Sequence, residues 1–586
     1  MSVAEWLHER SRASAYAIAT HTNHRSAETA SARLRRSGFC IRALCEFSPI
    51  SSRTRNPIPA LTLTNIVFTY PGTSEPLLDG IDVTFARGWT AVLGDNGIGK
   101  TTLAKLAIGR LSPDVGRISP NPNRLHTGYC PQNTDETPEN LEDFACDWSP
   151  QAMEIRRELG IGDDWPWRPG TLSDGEAKRL QIACALATDP DVLVLDEPTN
   201  HVDRPTRERI IAALRSYDGI GILVSHDVAL IDAAASSCAL FERDHVRGRN
   251  ITVVRVRPGN YSAASMDAQR ERAAAAGMAR DARRESTRID AVKEQRRRAA
   301  TSEIAGAPKA HRLVNPKDHD ARSRIKKSHN PSRLGPASAR IDAQAAAARE
   351  RAAAVVTATK RYDGDIWMDA ESSNRRELVR LEPQIIPYAP QSPDGVGAAA
   401  ISETAGLKIP MLTVGPHDRI GISGPNGTGK TTLVRTLLRT IAMREQYSGI
   451  PLPRLTITQN TTDQDAREAM RRLTALTPTD RGDVLSAFAQ LNVDPSRLLA
   501  GGNPSPGELR KLLLCLGLRD HPHLIVMDEP TNHLDLHSIQ ALAHALAGYP
   551  GALLLVSHDE GFLECAASIR WTLHSDALGG AQLTVS

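Results

Sequence analysis

Two lysines stand where a glycine-rich turn gives way to a helix-forming stretch. The first turn reads Gly94-Asp95-Asn96-Gly97-Ile98-Gly99-Lys100-Thr101-Thr102, and the second reads Gly424-Pro425-Asn426-Gly427-Thr428-Gly429-Lys430-Thr431-Thr432. Glycines at this spacing let backbone amides curl around a phosphate, and the following helix N-terminus adds unpaired donors and a favourable dipole. Lys100 and Lys430 have the reach to contact β- and γ-phosphates, while the hydroxyls of Thr101 and Thr431 suit Mg²⁺. A structural glycine turn accounts poorly for the complete pattern occurring twice. Gly94, Asn96, Gly97, Gly99, Lys100, Thr101 and Thr102 are therefore expected to bind nucleotide phosphate. Gly424, Asn426, Gly427, Gly429, Lys430, Thr431 and Thr432 are expected to do the same.

Each lysine has an acidic pair downstream, Asp196-Glu197 and Asp528-Glu529, at the end of an apolar run. An aspartate there reads as the group that holds hydrated Mg²⁺, and the glutamate as the one that orients or deprotonates an attacking water. His226 and His558 follow another apolar run, where an imidazole can sense the γ-phosphate or that water. Neither histidine has a companion cysteine or histidine cluster, so neither reads as a metal ligand.

The elements that must position these groups are themselves repeated. Leu195-Asp196-Glu197-Pro198-Thr199-Asn200-His201-Val202-Asp203 returns as Met527-Asp528-Glu529-Pro530-Thr531-Asn532-His533-Leu534-Asp535, and Val224-Ser225-His226-Asp227 returns as Val556-Ser557-His558-Asp559. Lysine and glutamate are 97 residues apart in the first copy and 99 in the second, and lysine and histidine are 126 and 128 apart. Two copies of one nucleotide-binding domain are expected at about 61–261 and 378–586. The continuous apolar runs at 90–93, 191–195 and 221–224, repeated at 418–422, 524–527 and 552–555, predict an α/β fold. In that fold a central sheet is covered by helices.

Composition agrees with this organisation. A chain of 586 residues exceeds one hydrophobic core, and its 40% hydrophobic and 24% charged residues exclude a fibrous or wholly disordered chain. Only 4% are aromatic, leaving few stacking platforms for single-stranded nucleic acid. Eight cysteines without a CxxC pair argue against a disulfide scaffold or zinc ribbon, and Cys184 and Cys515 in apolar runs read as buried thiols. No apolar run reaches the roughly 18 residues that span a bilayer. Residues 1–60 carry nine arginines and no lysine, which reads as a poorly ordered extension rather than a signal peptide.

Taken in order, the P-loop, a glutamine, Ser-x-Gly-Glu and Asp-Glu-Pro-Thr-Asn-His-x-Asp resemble ATP-binding cassette domains. Two such domains in one chain without membrane segments resemble the ABC-F subfamily, over roughly residues 61–586. The resemblance implies two P-loop cassettes that close head to tail within one monomer, with ATP and Mg²⁺ at two shared sites. Ser173, Gly175 and Glu176 would then complete the site of Lys430, and Ser505, Gly507 and Glu508 the site of Lys100. Gln132 and Gln459 match the glutamines that join Thr101, Asp196, Thr431 and Asp528 around the metal. Tyr70 matches the adenine-stacking aromatic of the first cassette; Tyr388 is the candidate for the second. Asp174 and Pro506 stand where the usual signature has glycine, and Pro506 removes an amide donor from the Lys100 site. Unequal sites are expected.

Between the copies, residues 262–377 predict a helical hairpin. Ser262 to about Ala300 is rich in Ala, Arg and Glu without proline, and a second helix is expected from about Ala337 to Arg361. Pro308, Pro316, Pro331 and Pro336 break the segment between them. The net charge of +3 hides a local excess of +8 between Arg296 and Gly335. Lys309, Arg312, Lys317, Arg322, Arg324, Lys326, Lys327 and Arg333 are the RNA-contact candidates there, where lysine and arginine gain from counterion release. In the ABC-F subfamily this linker enters the ribosomal tRNA exit site, and the run Pro316-Lys317-Asp318-His319-Asp320-Ala321-Arg322 is similar to its sequence. The resemblance thus implies a cytoplasmic, ribosome-associated ATPase whose partners are 23S rRNA and a P-site or E-site tRNA. The short P-loop-to-glutamine intervals lack the arm insertion of some housekeeping members and favour antibiotic resistance by ribosomal protection. The alternatives are a housekeeping translation factor, a soluble exporter ATPase subunit and a DNA-associated cassette ATPase.

Overall fold

The computed structural model describes residues 58–200, 202–246, 249–306, 335–354, 357–358, 366, 371–388, 406–459, 461–499, 501–576 and 580–586. The expected RNA-contact residues between Lys309 and Arg333, and the arginine-rich residues 1–57, lie outside the described residues. No helix among the described residues is long and apolar enough to cross a membrane.

The apolar runs form the centre of two sheets with the same order. In the first, Ala235–Val246, Gly88–Leu93, Ile220–Val224, Val192–Asp196 and Thr127–Cys130 lie side by side. In the second, Ile569–Ser575, Arg419–Ser423, Ala552–Val556, Leu524–Asp528 and Arg454–Ile457 follow that order. Within each group of five, neighbouring strands run parallel. Every residue of Val192–Asp196 and Ile220–Val224 is buried, as helices cover both sheet faces. Cys184 and Cys515 are buried free thiols in those helices.

Parallel register decides where the chemistry falls. Asp196 pairs with Val224 and Asp528 with Val556, so each acidic pair and each switch-region histidine leave the sheet at one edge. The glycine turns leave that same edge, after Gly88–Leu93 and Arg419–Ser423. Ligands of open α/β sheets bind beyond the carboxyl ends of the strands.

The linker begins as one continuous helix, Tyr261–Gly306, of 46 residues. At 1.5 Å per residue it spans about 70 Å. It runs past the expected end near Ala300, for no proline occurs before Pro308. Its root is fixed in the first cassette: Ala264 and Ala268 join the core, and Arg257 pairs with Glu271 at 2.6 Å. The returning helix, Gly335–Ala354, ends earlier than the expected Arg361. The β-branched Val355, Val356 and Thr357 disfavour helix, and Thr357–Ala358 instead pairs with Asp244 and His245 at the edge of the first sheet.

The two helices pack through small residues, Ala279 on one and Ala345 and Ala348 on the other, all buried. Arg349–Asp290 and Lys293–Asp342, both at 2.7 Å, set their antiparallel register at the rim. Enlarging the seam should force them apart. Ala348→Leu is expected to cost about 1–3 kcal/mol by overpacking, seen as protease cleavage of the hairpin at lower temperature while the cassettes stay resistant.

Candidate functional site

The glycine turns adopt the curled backbone that the residue types require. Gly94 and Gly424 have φ of 154° and 149°, and a Cβ there would stand 2.6 Å from Phe241 Cβ and from the Leu573 carbonyl oxygen. Gly97, Gly99, Gly427 and Gly429 also have positive φ. Gly99 and Gly429 lie at the N-caps of the helices that begin at Lys100 and Lys430, with no side-chain cap. The first amides of both helices thus have no side chain competing for them.

Both lysines are buried and fold back over their own turns. Lys100 Nζ donates to the carbonyls of Gly94 (2.7 Å) and Asp95 (3.1 Å), and Lys430 Nζ to those of Gly424 (2.9 Å) and Pro425 (3.0 Å). Burial pushes both ammonium groups down from their ordinary value, with nearby carboxylates opposing. Thr101 bonds the Asp196 carboxylate, and Thr431 Oγ1 donates to Asp528 Oδ2 at 3.2 Å. Asp196 Oδ1 is buried without a hydrogen-bond partner. Hard oxygen donors beside an unsatisfied carboxylate oxygen fit Mg²⁺.

Glu197 and Glu529 share a feature that motif spacing does not reveal. Both lie in the left-handed region, with φ of 48° and 49°, where side chains other than glycine are strained. Their amides are held by the Val224 and Val556 carbonyls, each at 2.8 Å. The turn brings Glu197 Oε1 within 3.3 Å of His226 Nε2, and Glu529 Oε1 within 3.5 Å of His558 Nε2. Burial pushes Glu197 up to about 8 and Glu529 up to about 7, and pushes His226 down to about 3.

The other expected residues fall around these centres. Tyr70 stands at the first turn, its hydroxyl 3.1 Å from Thr102 Oγ1. Tyr388 takes a matching place in the second cassette: its hydroxyl lies 3.4 Å from the Thr428 carbonyl, and its ring covers Gly429. Thr432 is half-buried in the first turn of its helix.

A cavity of about 1050 Å³ joins Tyr70, Lys100, Thr101, Gln132, Asp196 and His226 to Ser505, Pro506 and Gly507 of the second copy. Ser173, Gly175, Glu176, Lys430 and Gln459 stand outside it. Glu176 and Glu508 take a structural position: each caps its own helix reciprocally with Ser173 or Ser505. Their carboxylates accept the serine amides at 2.9 and 2.7 Å, facing their own backbone.

Two further pairs of residues had no role in the motif reading. Lys178 Nζ donates to the carbonyls of Pro131 (2.6 Å) and Gln132 (3.0 Å), and Arg510 Nη2 donates to that of Gln459. A buried cation therefore ties each signature helix to its glutamine segment. In sequence each is the first of two adjacent cations, Lys178-Arg179 and Arg510-Lys511, and nothing local singles it out.

The second pair crosses between cassettes. Asp203 Oδ2 accepts the Asn426 amide at 3.1 Å, and Asp535 Oδ2 accepts the Asn96 amide at 3.4 Å. With its other oxygen each aspartate caps its own helix, through Thr206 at 3.1 Å or Ser538 at 2.8 Å. Burial opposes ionisation of Asp203, but these donors hold its carboxyl below the usual range. An aspartate just ahead of Arg204-Pro205 is a helix-start signal; its second role needs the fold.

Asparagine caps helices as well as aspartate, yet its single acceptor oxygen cannot serve both helices. Asp203→Asn should thus melt within about 0.5 kcal/mol of the parent, while Asp203→Ala loses about 1 kcal/mol. ATP turnover should fall about tenfold in both, the loss of one charge-assisted hydrogen bond. Parallel melting and phosphate-release assays check the split.

The family model described as ABC transporter matches residues 78–200 and 407–532. A putative ABC transporter ATP-binding protein of Nitratidesulfovibrio vulgaris is 35% identical over 217 residues, covering 33% of this chain and 78% of that protein. The ribosome protection protein VmlR of Bacillus subtilis is 25% identical over 524 residues, covering 88% of this chain and 87% of that protein. In fold, the chain is similar to a solved structure, the complex of archaeal ribosomal stalk protein aP1 and archaeal ribosome recycling factor aABCE1. The TM-score is 0.51 at 15% identity, with 89% of each chain covered. The paired glycine turns, acidic pairs and shared sheet order thus have their explanation: the chain belongs to the ATP-binding cassette family, as an ATPase with the tandem organisation of its ABC-F subfamily.

Proposed function

We propose that this ATPase acts on the ribosome and protects it from an antibiotic bound near the peptidyl transferase centre. The observation that carries this reading is the linker. A 46-residue helix and its antiparallel partner project from the first cassette toward a segment with a local charge of +8. A strongly basic segment that joins two long helices in sequence suits the phosphate backbone of folded RNA. An exporter subunit has no use for such a segment. The similarity to VmlR, itself a ribosome protection protein, supports the resistance reading.

Cassettes of this family bind ATP, typically with Mg²⁺. In our reading Lys100 and Lys430 contact the β- and γ-phosphates, and the turn amides from Gly94 and Gly424 onward wrap them. Tyr70 and Tyr388 cover adenine. Thr101, Gln132 and Asp196 hold the cation in one site, and Thr431, Gln459 and Asp528 hold it in the other. The ion neutralises charge that develops on the transferring phosphoryl group. Glu197 and Glu529 orient and deprotonate water, and His226 and His558 position the γ-phosphate end. Ser505 and Gly507, and Ser173 and Gly175, complete the sites across the interface as the cassettes close.

ATP binding closes the pair and fixes the hairpin on the ribosome; hydrolysis releases it. Lys309, Arg312, Lys317, Arg322, Arg324, Lys326, Lys327 and Arg333 supply phosphate contacts to 23S rRNA or to a P-site or E-site tRNA. The place of action is then the cytoplasm.

A Glu197→Gln, Glu529→Gln double variant with ATP should remain on ribosomes through a sucrose cushion, and higher salt should release it progressively. Failure to co-sediment at any salt concentration rejects ribosome action. In a sensitive host, the parent should raise the tolerated dose of a ribosome-targeting drug, and deletion of residues 299–336 should abolish that gain. No protection across drug classes, with ribosome binding intact, assigns the chain to general translation instead.

A further inference from the structure

The two switch histidines are not held alike. His558 Nε2 lies 3.1 Å from Lys430 Nζ and 2.9 Å from Asn426 Oδ1, engaged with its own glycine turn. His226 lies beside Glu197, but neither ring nitrogen makes a hydrogen bond. One side chain of the opposite cassette distinguishes them. Arg207, one turn into the helix capped by Asp203, sends Nη2 across the interface to the His558 carbonyl at 3.1 Å. Its Nε lies 3.0 Å from Asp227 Oδ2, next to His226, and both partners are largely buried. Asp559, beside His558, is raised by burial; Asp227 raises it further and Arg207 opposes this. The guanidinium thus carries a positive charge close to Asp227 and counters the charge that Asp227 presents to Asp559.

The second cassette has no equivalent. Four residues after Asp535, where Arg207 follows Asp203, stands Ile539, buried and without a donor. The helix of the first cassette thus reaches the second site with Asp203 on the Asn426 amide, Arg207 on the His558 carbonyl and, at the rim, Arg204 on Glu560 at 2.8 Å. The helix of the second cassette reaches the first glycine turn through Asp535 and the His533 carbonyl, which meet Asn96, and through His537 Nδ1, 3.6 Å from Asp95 Oδ1, but no group at the place of Arg207 reaches the His226 loop.

We propose that Arg207 is a positioning residue that acts in trans: it fixes the switch histidine of the Lys430 site and makes that site the faster of two unequal ATP sites. Guanidinium suits the task because its planar fork engages a carboxylate and a carbonyl at once, which a lysine ammonium on a flexible stem does not. This rests on the reading of His558 and Glu529 as hydrolytic groups.

The test isolates one site at a time. Glu197→Gln leaves the Lys430 site to turn over ATP, and Glu529→Gln leaves the Lys100 site. Adding Arg207→Lys, which retains the positive charge, should lower kcat about tenfold in the Glu197→Gln parent. KM for ATP should stay within twofold there, and the loss in the Glu529→Gln parent should be less than twofold. Equal losses in both parents would mean a general interface role and overturn the proposal; so would no loss in either, or a loss confined to KM. Absence of turnover by the Glu197→Gln parent alone overturns it as well. Ribosome co-sedimentation of the Glu197→Gln, Glu529→Gln double variant reports on the partner independently, so failure of one claim is distinguishable from failure of the other.

Discussion

Two aspartates each serve a helix of their own cassette and a glycine turn of the other. Asp203 and Asp535 stop an interfacial helix from fraying and, with the remaining oxygen, accept an amide from the glycine turn of the other cassette. Neither nucleotide-binding turn is thus finished by its own domain. A carboxylate carries the double role because it offers two acceptor oxygens and no donor. These contacts lie beside Lys100 and Lys430, so any movement of one cassette against the other must change them. Coupling between closure and chemistry follows from that shared geometry.

The sheets convert this contact into a reaction centre. Parallel register places Asp196 beside Val224 and Asp528 beside Val556, so two successive loops leave each sheet at one level. The glutamates then enter the left-handed region, a conformation that costs of order 1–3 kcal/mol and persists only where its surroundings enforce it. Here the enforcement comes from the Val224 and Val556 carbonyls gripping the glutamate amides. The strained turn directs each carboxylate at the histidine of the neighbouring loop rather than along its own strand. Burial then raises both carboxyls toward neutrality, the range in which a group exchanges a proton with water most readily.

Motif and spacing were enough to place the turns, the acidic pairs and the histidines, because those positions follow from strand ends that apolar runs mark clearly. They were enough for the linker helices too, except that the second ends at Ala354 and Thr357–Ala358 forms an edge strand. The cross-cassette terms were not legible. Asp203 reads locally as a cap, Arg207 as one more charge on an amphipathic helix, and Lys178 and Arg510 each as the first of two adjacent cations. Each gains its meaning from a carbonyl or amide distant in sequence, and no local pattern names a partner 46 or 351 residues away. Tyr388 is the candidate aromatic of the second cassette in sequence, and its ring does cover Gly429. Glu176 and Glu508 show the reverse case, in which a motif residue does structural work by capping its own helix.

Repetition of a domain invites the assumption of equal sites, yet duplicated copies are free to diverge wherever one copy alone suffices. The retained parts lie within each copy: lysine, threonine, acidic pair and histidine. Divergence falls on residues that serve the opposite copy, with Pro506 against Asp174 and Ile539 against Arg207. Pro506 removes an amide from the face presented to the Lys100 site, and Ile539 supplies no donor to that same site. Both losses fall on one side. The helix Tyr261–Gly306 is rooted in the first cassette, the same cassette whose Asp203 and Arg207 reach across to the second glycine turn and the His558 loop.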